Sequence, residues 1–368
     1  MPYGGTEVAR GLQAGAGLVH RREMQRLVQG INVGMTRCPV CANEEKLALT
    51  ERYDRFSIYS CPACEVQFAH PLSYSTNLYD ELYSSGGLGL TRVRLSTHSS
   101  MVAKSHRMIG GPQYLALQWL KQNIPTPSPV LEVGFGGGWF LAALEHQGYI
   151  AMGIEVAKEP VELLKQRGFT VAQAPVNGLP PDWAAPRAVI LFEVLEHLPD
   201  PVGFLRTVHE NFPNAPLILS TPSPKRWCLR LGHREHHDYP PYHLIRWTER
   251  SLSLALRKAG YADAICEYPR IDPAEFYSTL LGFILARLHL LNMGSPDLAL
   301  KDSHGQLLVS KAVEKSPGFW LRLHDAGLAV FRVLLTPVAW YFNRRGWSSA
   351  SMLAIGLPLG WHKDAASA

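Results

Sequence analysis

The stretch "VLEVGFGGGWFLAALEHQG", residues 130–148, sets four glycines within five positions at the seam between an apolar run and a helical pattern. Val130-Leu131-Glu132-Val133 follows the proline-rich "NIPTPSP" (123–129) and has the apolar, β-branched character of a buried parallel strand. Beyond Gly138, Phe140, Leu141 and Leu144 recur at helical spacing, and Gly148 supplies a stop. The glycines therefore occupy a strand-to-helix turn, where a doubly wound α/β sheet binds its ligand. Such a loop lets a ligand come very close to the backbone.

The bulk numbers set the frame for that loop. A chain of 368 residues has room for one large domain with attachments, or for two. With 46% hydrophobic and 18% charged residues it has the composition of a folded globular protein. The formal charge of +5 comes without the dense basic runs of a dedicated nucleic-acid binder. Residues 1–35 lack the apolar core of a secretory signal and read as a loosely attached leader. The apolar runs at 276–294 and 326–342 are interrupted by Arg287 and by Arg332 and Pro337. Neither offers the ~18 uninterrupted apolar residues of a membrane span. The expected compartment is the cytoplasm.

The residues around the glycines discriminate between ligands. A dinucleotide site takes G-x-G-x-x-G, whose third glycine allows close packing of helix on strand. Gly134 and Gly136 fit the first two places, but the third is Trp139, and Glu132 would be badly placed near a pyrophosphate. Both features argue against a nicotinamide-dependent oxidoreductase. S-adenosylmethionine carries a sulfonium and an ammonium and no phosphate, so an acid at the strand end suits it. Glu132, Gly134, Gly136 and Gly138 form E-x-G-x-G-x-G, which resembles the first motif of class I methyltransferases.

The segments that follow resemble the same family. "YIAMGIEVAKEPVELLKQRG" (149–168) gives a second strand ending in Glu155, an acid placed to grip two ribose hydroxyls. "EVLEHLPDP" (193–201), beginning at Glu193, is similar to the post-strand motif of the group that includes the ubiquinone-pathway methyltransferases. "LILSTPSP" (217–224) resembles the fifth strand, and "DYPPYHLIRWTERSLSLALRKAGY" (238–261) the next motif and helix, with Thr248 as N-cap. No acid to read the adenine stands in "VAQAPVNGLPPDW" (171–183), where Asn177 or a backbone carbonyl would substitute. The resemblance spans about residues 36–270. It implies a seven-stranded Rossmann-like sheet and methyl transfer from S-adenosyl-L-methionine, bound by Glu132, Gly134, Gly136, Gly138, Glu155 and Glu193.

Four of the six cysteines form Cys38-Pro-Val-Cys41 and Cys61-Pro-Ala-Cys64. Each knuckle presents two thiolates, and two knuckles complete a four-thiolate zinc site. The intervening residues alternate as two short strands would, so 36–72 reads as a zinc ribbon. A Zn2+ ion with four thiolates has no open coordination position, which makes its role structural. The knuckles and "NLYDELYSS" (77–85) also resemble the front end of methyltransferases of sugar, polysaccharide and natural-product pathways. Cys228 and Cys266 read as small apolar residues.

A hydroxyl or enolisable-carbon acceptor needs a proton acceptor, for which His243 and His197 are the candidates, with Tyr239, His236 and His237 as alternates. The run "GHREHHDYPPYH" (232–243) lacks the spacing of a second metal site. Segments 273–294 and 317–345 are apolar at helical spacing with arginines interspersed. Two readings stand: packing within the protein, or peripheral contact of 273–345 with the inner face of a membrane. The expected organisation is a leader (1–35), a zinc ribbon (36–72), a methyltransferase domain (73–271), a helical insertion (272–346), and a last strand with tail (347–368). Met352 to Gly356 is expected to return to the sheet as its seventh strand, beside a sixth within 261–271. The acceptor is expected to be a small molecule, a glycan or a lipid-linked compound. The rival is an RNA-modifying or RNA-binding zinc-ribbon protein, for which Lys46, Arg52 and Arg55 make only a thin basic patch.

Overall fold

The structure is a computed structural model that describes residues 36–73, 90, 93–230, 232, 234, 238–273, 330 and 333–361. The chain divides into two compact units, Met1–Arg37 and Cys38–Ala368, and the architecture below is that of the second. The expected leader, the "NLYDELYSS" segment and most of the expected insertion lie outside the described residues.

The strand anticipated before the glycines is β4 (Pro129–Val133), and its apolar run is buried because parallel neighbours flank it on both sides. β1 (Ala48–Tyr53), β2 (Phe56–Ser60) and β3 (Gln67–His70) precede it. β5 (Ile150–Glu155), β6 (Val171–Gln173), β7 (Ala188–Phe192), β8 (Leu217–Pro222), β9 (Ile245–Arg246), β10 (Asp263–Glu267) and β11 (Ser351–Leu357) follow. The large sheet runs β10-β11-β8-β7-β4-β5-β6. β6, β5, β4, β7 and β8 are mutually parallel, and β11 is antiparallel to both β8 and β10.

The seventh strand thus comes from the far end of the chain. Met352 pairs with Thr221 and Gly356 with Leu217 on one side, and Ile355 pairs with Ile265 on the other. Residues 351–356 are all buried, as a strand between two neighbours requires. Returning to the sheet after so long an excursion adds only ~2–3 kcal/mol of closure entropy over a tight turn, because that cost grows logarithmically with length.

Alternation along the strands sends side chains to two cores. Val130, Ala188, Ile190, Ile218 and Leu353 face α1 (His98–Lys104), α2 (Gly111–Asn123), α3 (Trp139–His146) and α4 (Lys158–Gln166) through Met101, Leu120, Phe140 and Leu164. Leu131, Val133, Leu191, Leu219 and Met352 face α5 (Pro201–Asn211) and α7 (Glu249–Ala259). A short helix, α6 (Trp227–Arg230), follows β8. The starts of α1, α5 and α7 carry side chains that accept from their exposed amides. The Asp200 carboxylate accepts from Gly203 N–H at 2.9 Å, with Pro201 next, and Thr248 and Ser251 form a reciprocal capping box on α7.

The two strands expected between the knuckles are β1 and β2, and β3 pairs with β2 after the second knuckle. The small sheet does not stop there. β9, from the methyltransferase segment, pairs with β3 through Gln67↔Arg246 and Phe68↔Ile245. Phe56, Phe68, Cys61 and Cys64 share one continuous buried cluster with Trp247, Leu252, Val189 and Leu217. The ribbon is therefore built onto the sheet's second face and has no separate core.

Near the C-terminus the chain is helical over 333–344. Leu335, Ala339 and Phe342 pack with Trp227, Ile271 and Trp347, while Val333, Leu334, Trp340 and Tyr341 are exposed. Among the described residues no helix is long and apolar enough to cross a membrane.

Candidate active site

The glycine loop leaves β4 at Gly134, whose N–H donates to Ile154 O at 2.8 Å and ties the loop to β5. Gly134 and Gly138 have φ values of +76° and +69°. A side chain at either would be strained, and its Cβ would lie 2.7 Å from Val194 Cγ2 or 2.1 Å from Leu164 Cδ2. These two glycines bring the start of α3 down onto the sheet edge, where the Leu141 amide meets the Glu132 carboxyl.

Two carboxylates sit under that loop. Glu155, at the end of β5, accepts from Val156 N–H (2.8 Å) and Ala157 N–H (3.2 Å) on Oε1, and from Gly136 N–H (3.4 Å) on Oε2. Those amides oppose burial, which pushes the Glu155 carboxyl up. Glu132 is only 3% exposed, and its Oε2 has no hydrogen-bond partner. Burial, then the charge of Glu155, push its carboxyl well above the usual range, and only the Leu141 amide works the other way. A buried acid beside another acid, with one oxygen unpartnered, is a site for a positively charged group.

A second cluster lies past β7. Glu193 has φ +53°, which is rare outside glycine, and its Oε1 accepts from Ser220 Oγ at 2.6 Å across to β8. One turn on, Glu196 is 0% exposed, and neither of its oxygens finds a hydrogen bond. Burial, then the charge of Glu193, hold its carboxyl well above the ordinary value. The adjacent His197 places Nδ1 2.7 Å from Tyr242 O. A carbonyl only accepts, so Nδ1 carries the proton and, in the neutral ring, Nε2 is the basic nitrogen.

His243 meets this cluster from the loop before β9. Its Nε2 is 4.0 Å from Glu196 Oε1, its Nδ1 is 3.5 Å from Asp238 Oδ1, and its ring centroid is 4.8 Å from that of His197. Asp238 is buried and pairs with the Arg226 guanidinium. Burial by itself would raise the Asp238 carboxyl. The contacts to His243 and Arg226 outweigh it and hold that carboxyl well below the usual carboxylate range. Ligand atoms of Glu196, His197 and His243 lie within 4.8 Å of one another.

The sequence-derived site residues therefore gather along one edge. Glu132, the glycines and Glu155 lie at the ends of β4 and β5, and Glu193, His197 and His243 lie beyond β7. Among the alternates, Tyr239 stacks on Tyr53 of the ribbon, while His236 and His237, like His233, fall outside the described residues. Asn177 is exposed. Sequence reasoning missed Asp238 and Arg226. "DYPPYH" held the signal for Asp238, an acid five residues before the histidine, whereas nothing local marks Arg226 as its partner.

The four cysteine thiols make a separate centre. Their sulfurs lie within 4.8 Å of one another, with Cys38–Cys64 at 3.6 Å and Cys41–Cys61 at 3.4 Å, and no disulfide joins them. A tetrahedral zinc with Zn–S of ~2.3 Å has sulfur–sulfur edges of about 3.8 Å, so the donor set fits such an ion. The Cys64 thiol beside it pulls Cys38 down to about 5, and Cys64 is pushed up by Cys38 and by burial. Four crowded sulfurs cannot all ionise without a cation among them.

Comparison with known proteins falls on the same elements. Residues 106–264 match the model of a methyltransferase domain. A ubiquinone biosynthesis O-methyltransferase of Histophilus somni is 29% identical over 174 residues, covering 39% of this chain and 73% of that relative. Its counterpart from Haemophilus ducreyi is 36% identical over 104 residues, 25% of this chain and 44% of the relative. Among solved structures, an S-adenosylmethionine-dependent methyltransferase of Archaeoglobus fulgidus aligns at TM-score 0.38 and 14% identity, over 66% of this chain and 93% of its own. Magnesium protoporphyrin IX methyltransferase of Synechocystis aligns at 0.37 and 18%, over 53% and 90%. The buried, uncompensated Glu132 asks for a donor with positive charge and no phosphate. With the methyltransferase match spanning the same strands, the chain is a class I S-adenosylmethionine-dependent methyltransferase.

Proposed function

We propose that the enzyme methylates a hydroxyl oxygen of a small molecule, with His243 as the proton acceptor and Asp238 orienting it. The observation that carries this reading is the Asp238–His243 pair, set against His197 and Glu196 at the sheet edge. Similarity to relatives that act as O-methyltransferases supports it.

S-adenosylmethionine, when bound, supplies a methyl group made electrophilic by its sulfonium. Glu132 and the amides of the glycine loop would hold the charged amino-acid end. The unfilled acceptor capacity of Glu155 would take ribose hydroxyls, and Glu193, braced by Ser220, would close the other side. Asp238, ionised through the neutral range, fixes the His243 proton on Nδ1 and leaves Nε2 basic. As the acceptor oxygen bonds carbon, its proton passes to His243 Nε2, and Asp238 stabilises the imidazolium that forms. Burial and the charge of Glu193 hold the Glu196 carboxyl, 4.0 Å from His243 Nε2, well above the ordinary value, which disfavours an anion at that position. Alignment in a closed crevice provides the rest of the rate enhancement.

The cysteine centre holds a structural Zn2+ in this reading, supported by the sulfur spacing above. Peripheral membrane contact through 333–344 is supported by the exposed face of Val333, Leu334, Trp340 and Tyr341, with Arg344 over the Trp340 ring and Arg345 over that of Tyr341. His243→Ala tests the main proposal. Turnover on a catechol should fall by about 10²-fold or more with S-adenosylhomocysteine binding intact, and near-normal turnover would remove His243 from the role.

A further inference from the structure

A cavity of about 230 Å³ lies between the ribbon and the large sheet, with His243 in its lining. Ser60 and Gln67, flanking the second cysteine knuckle, line it from the ribbon, and Pro222 and Ser223, at the end of β8, line it from the large sheet. The volume is below the ~300–1,000 Å³ of drug-sized sites and suits a single substituted ring. Three guanidinium groups converge here, those of Arg226, Arg234 and Arg246.

The cavity's charges do not cancel. Arg226 is paired with Asp238. Arg246 holds both oxygens of Glu51, at 3.2 and 3.3 Å, and lies over the Tyr239 ring. Glu65, at the rim, is engaged by Arg250 at 3.1 Å. Among the described residues no carboxylate forms an ion pair with Arg234. Burial, then repulsion from Arg246, make its positive charge unfavourable, only partly offset by Asp238 and Glu51. A half-buried arginine does not escape this by losing its proton, so it holds a standing demand for an anion.

We propose that the methyl acceptor is anionic, and that Arg234 binds its carboxylate or phosphate group in this cavity beside the ribbon wall. The proposal rests on the reading of His243 as proton acceptor, because His243 makes the cavity the acceptor site. It also gives the ribbon a role in specificity. Ser60 and Gln67, positioned by the cysteine centre, shape the cavity while Arg234 sets the charge of what enters. A planar guanidinium binds carboxylate and phosphate alike through paired N–H donors, so the shared chemistry is an oxyanion.

The test is calorimetry on the full chain saturated with S-adenosylhomocysteine, in phosphate-free, low-salt buffer. The probes are benzoate, phenyl phosphate and the neutral benzyl alcohol. At least one anionic probe should bind about tenfold or more tighter than benzyl alcohol. Arg234→Gln should bring it down to the neutral level, and Arg234→Lys should retain part of the preference. Tighter binding of benzoate assigns a carboxylate acceptor, and of phenyl phosphate a phosphate ester. The melting temperature of Arg234→Gln without probe should not fall, since no ion pair is lost; a marked fall would mark the arginine as structural and overturn the proposal. Equal affinity for charged and neutral probes, or an unchanged Arg234→Gln, would also overturn it while leaving the methyltransferase reading intact. Failure of the wild-type chain to bind S-adenosylhomocysteine would sink that reading, and the inference with it.

Discussion

Replacing Glu132 with Gln should make the unliganded protein more stable and a poorer binder of its cofactor. The side chain is 3% exposed, one oxygen has no hydrogen-bond partner, and Glu155 adds repulsion. Ionising such a group costs several kcal/mol, and keeping it protonated costs about 1.4 kcal/mol for each pH unit above the ordinary ~4.3. Gln keeps an oxygen for the Leu141 amide and removes the charge. Its unpaired amide offsets part of the gain, leaving roughly 2–3 kcal/mol near neutral pH, or about 3–4 °C in melting temperature for a unit of this size. The sign follows from linkage. A carboxyl whose folded pKa is raised contributes stability below its unfolded value, and loses it as pH rises through the folded value. The variant's advantage should therefore be near zero around pH 4 and widen toward higher pH. Thermal melts of both proteins across that range, with and without S-adenosylhomocysteine, measure it. Affinity for that ligand should drop by about 1.5–3 kcal/mol, the scale of a hydrogen bond to a charged group. A variant that melts below wild type at pH 8 without ligand would refute the reasoning.

Asp238→Asn should lower turnover by about 10²-fold or more while S-adenosylhomocysteine still binds, because the amide no longer secures the basic form of His243 at Nε2. It should also cost roughly 3–5 kcal/mol by stranding the buried Arg226, read as a lower denaturation midpoint. The depressed Asp238 carboxyl works oppositely to Glu132. Its stabilisation is complete above about pH 5 and is lost as pH falls toward the folded value, so Asp238→Asn should remove that group's share of the pH dependence on the acid side. Metal analysis should find one zinc per chain. Cys61→Ser should lower the melting temperature of the whole molecule, because the ribbon shares the core of the large sheet; two separate transitions would contradict that.

The central sheet was legible because parallel strands buried on both faces read as apolar runs: Ala188–Phe192 is unbroken, and Val130–Val133 is interrupted only by Glu132. The seventh strand was legible by exclusion, since "SASMLAIGLP" was the next strand-like stretch after the sixth. The acids and histidines could be named because each stands at a strand end or within a recognisable tract. Two things could not be read. β9 is two residues long, too short for any periodicity, yet it joins the ribbon's sheet to the methyltransferase fold. The pairing of Arg226 with Asp238 arises where two loops meet, and such contacts leave no pattern in either loop.

β11 also has a consequence for how the protein is made. During synthesis, β8 leaves the ribosome with one edge paired to β7 and the other open, and its proper neighbour is not translated until Ser351. β10 is complete at Glu267 but has nothing to pair with, because β11 must come between it and β8. At ~5–20 residues per second, the intervening segment keeps an unfinished sheet exposed for several seconds. An open, apolar edge held that long invites pairing with another nascent chain. Yield on overexpression should therefore depend on holdase chaperones and on slow growth more than on the stability of the finished fold.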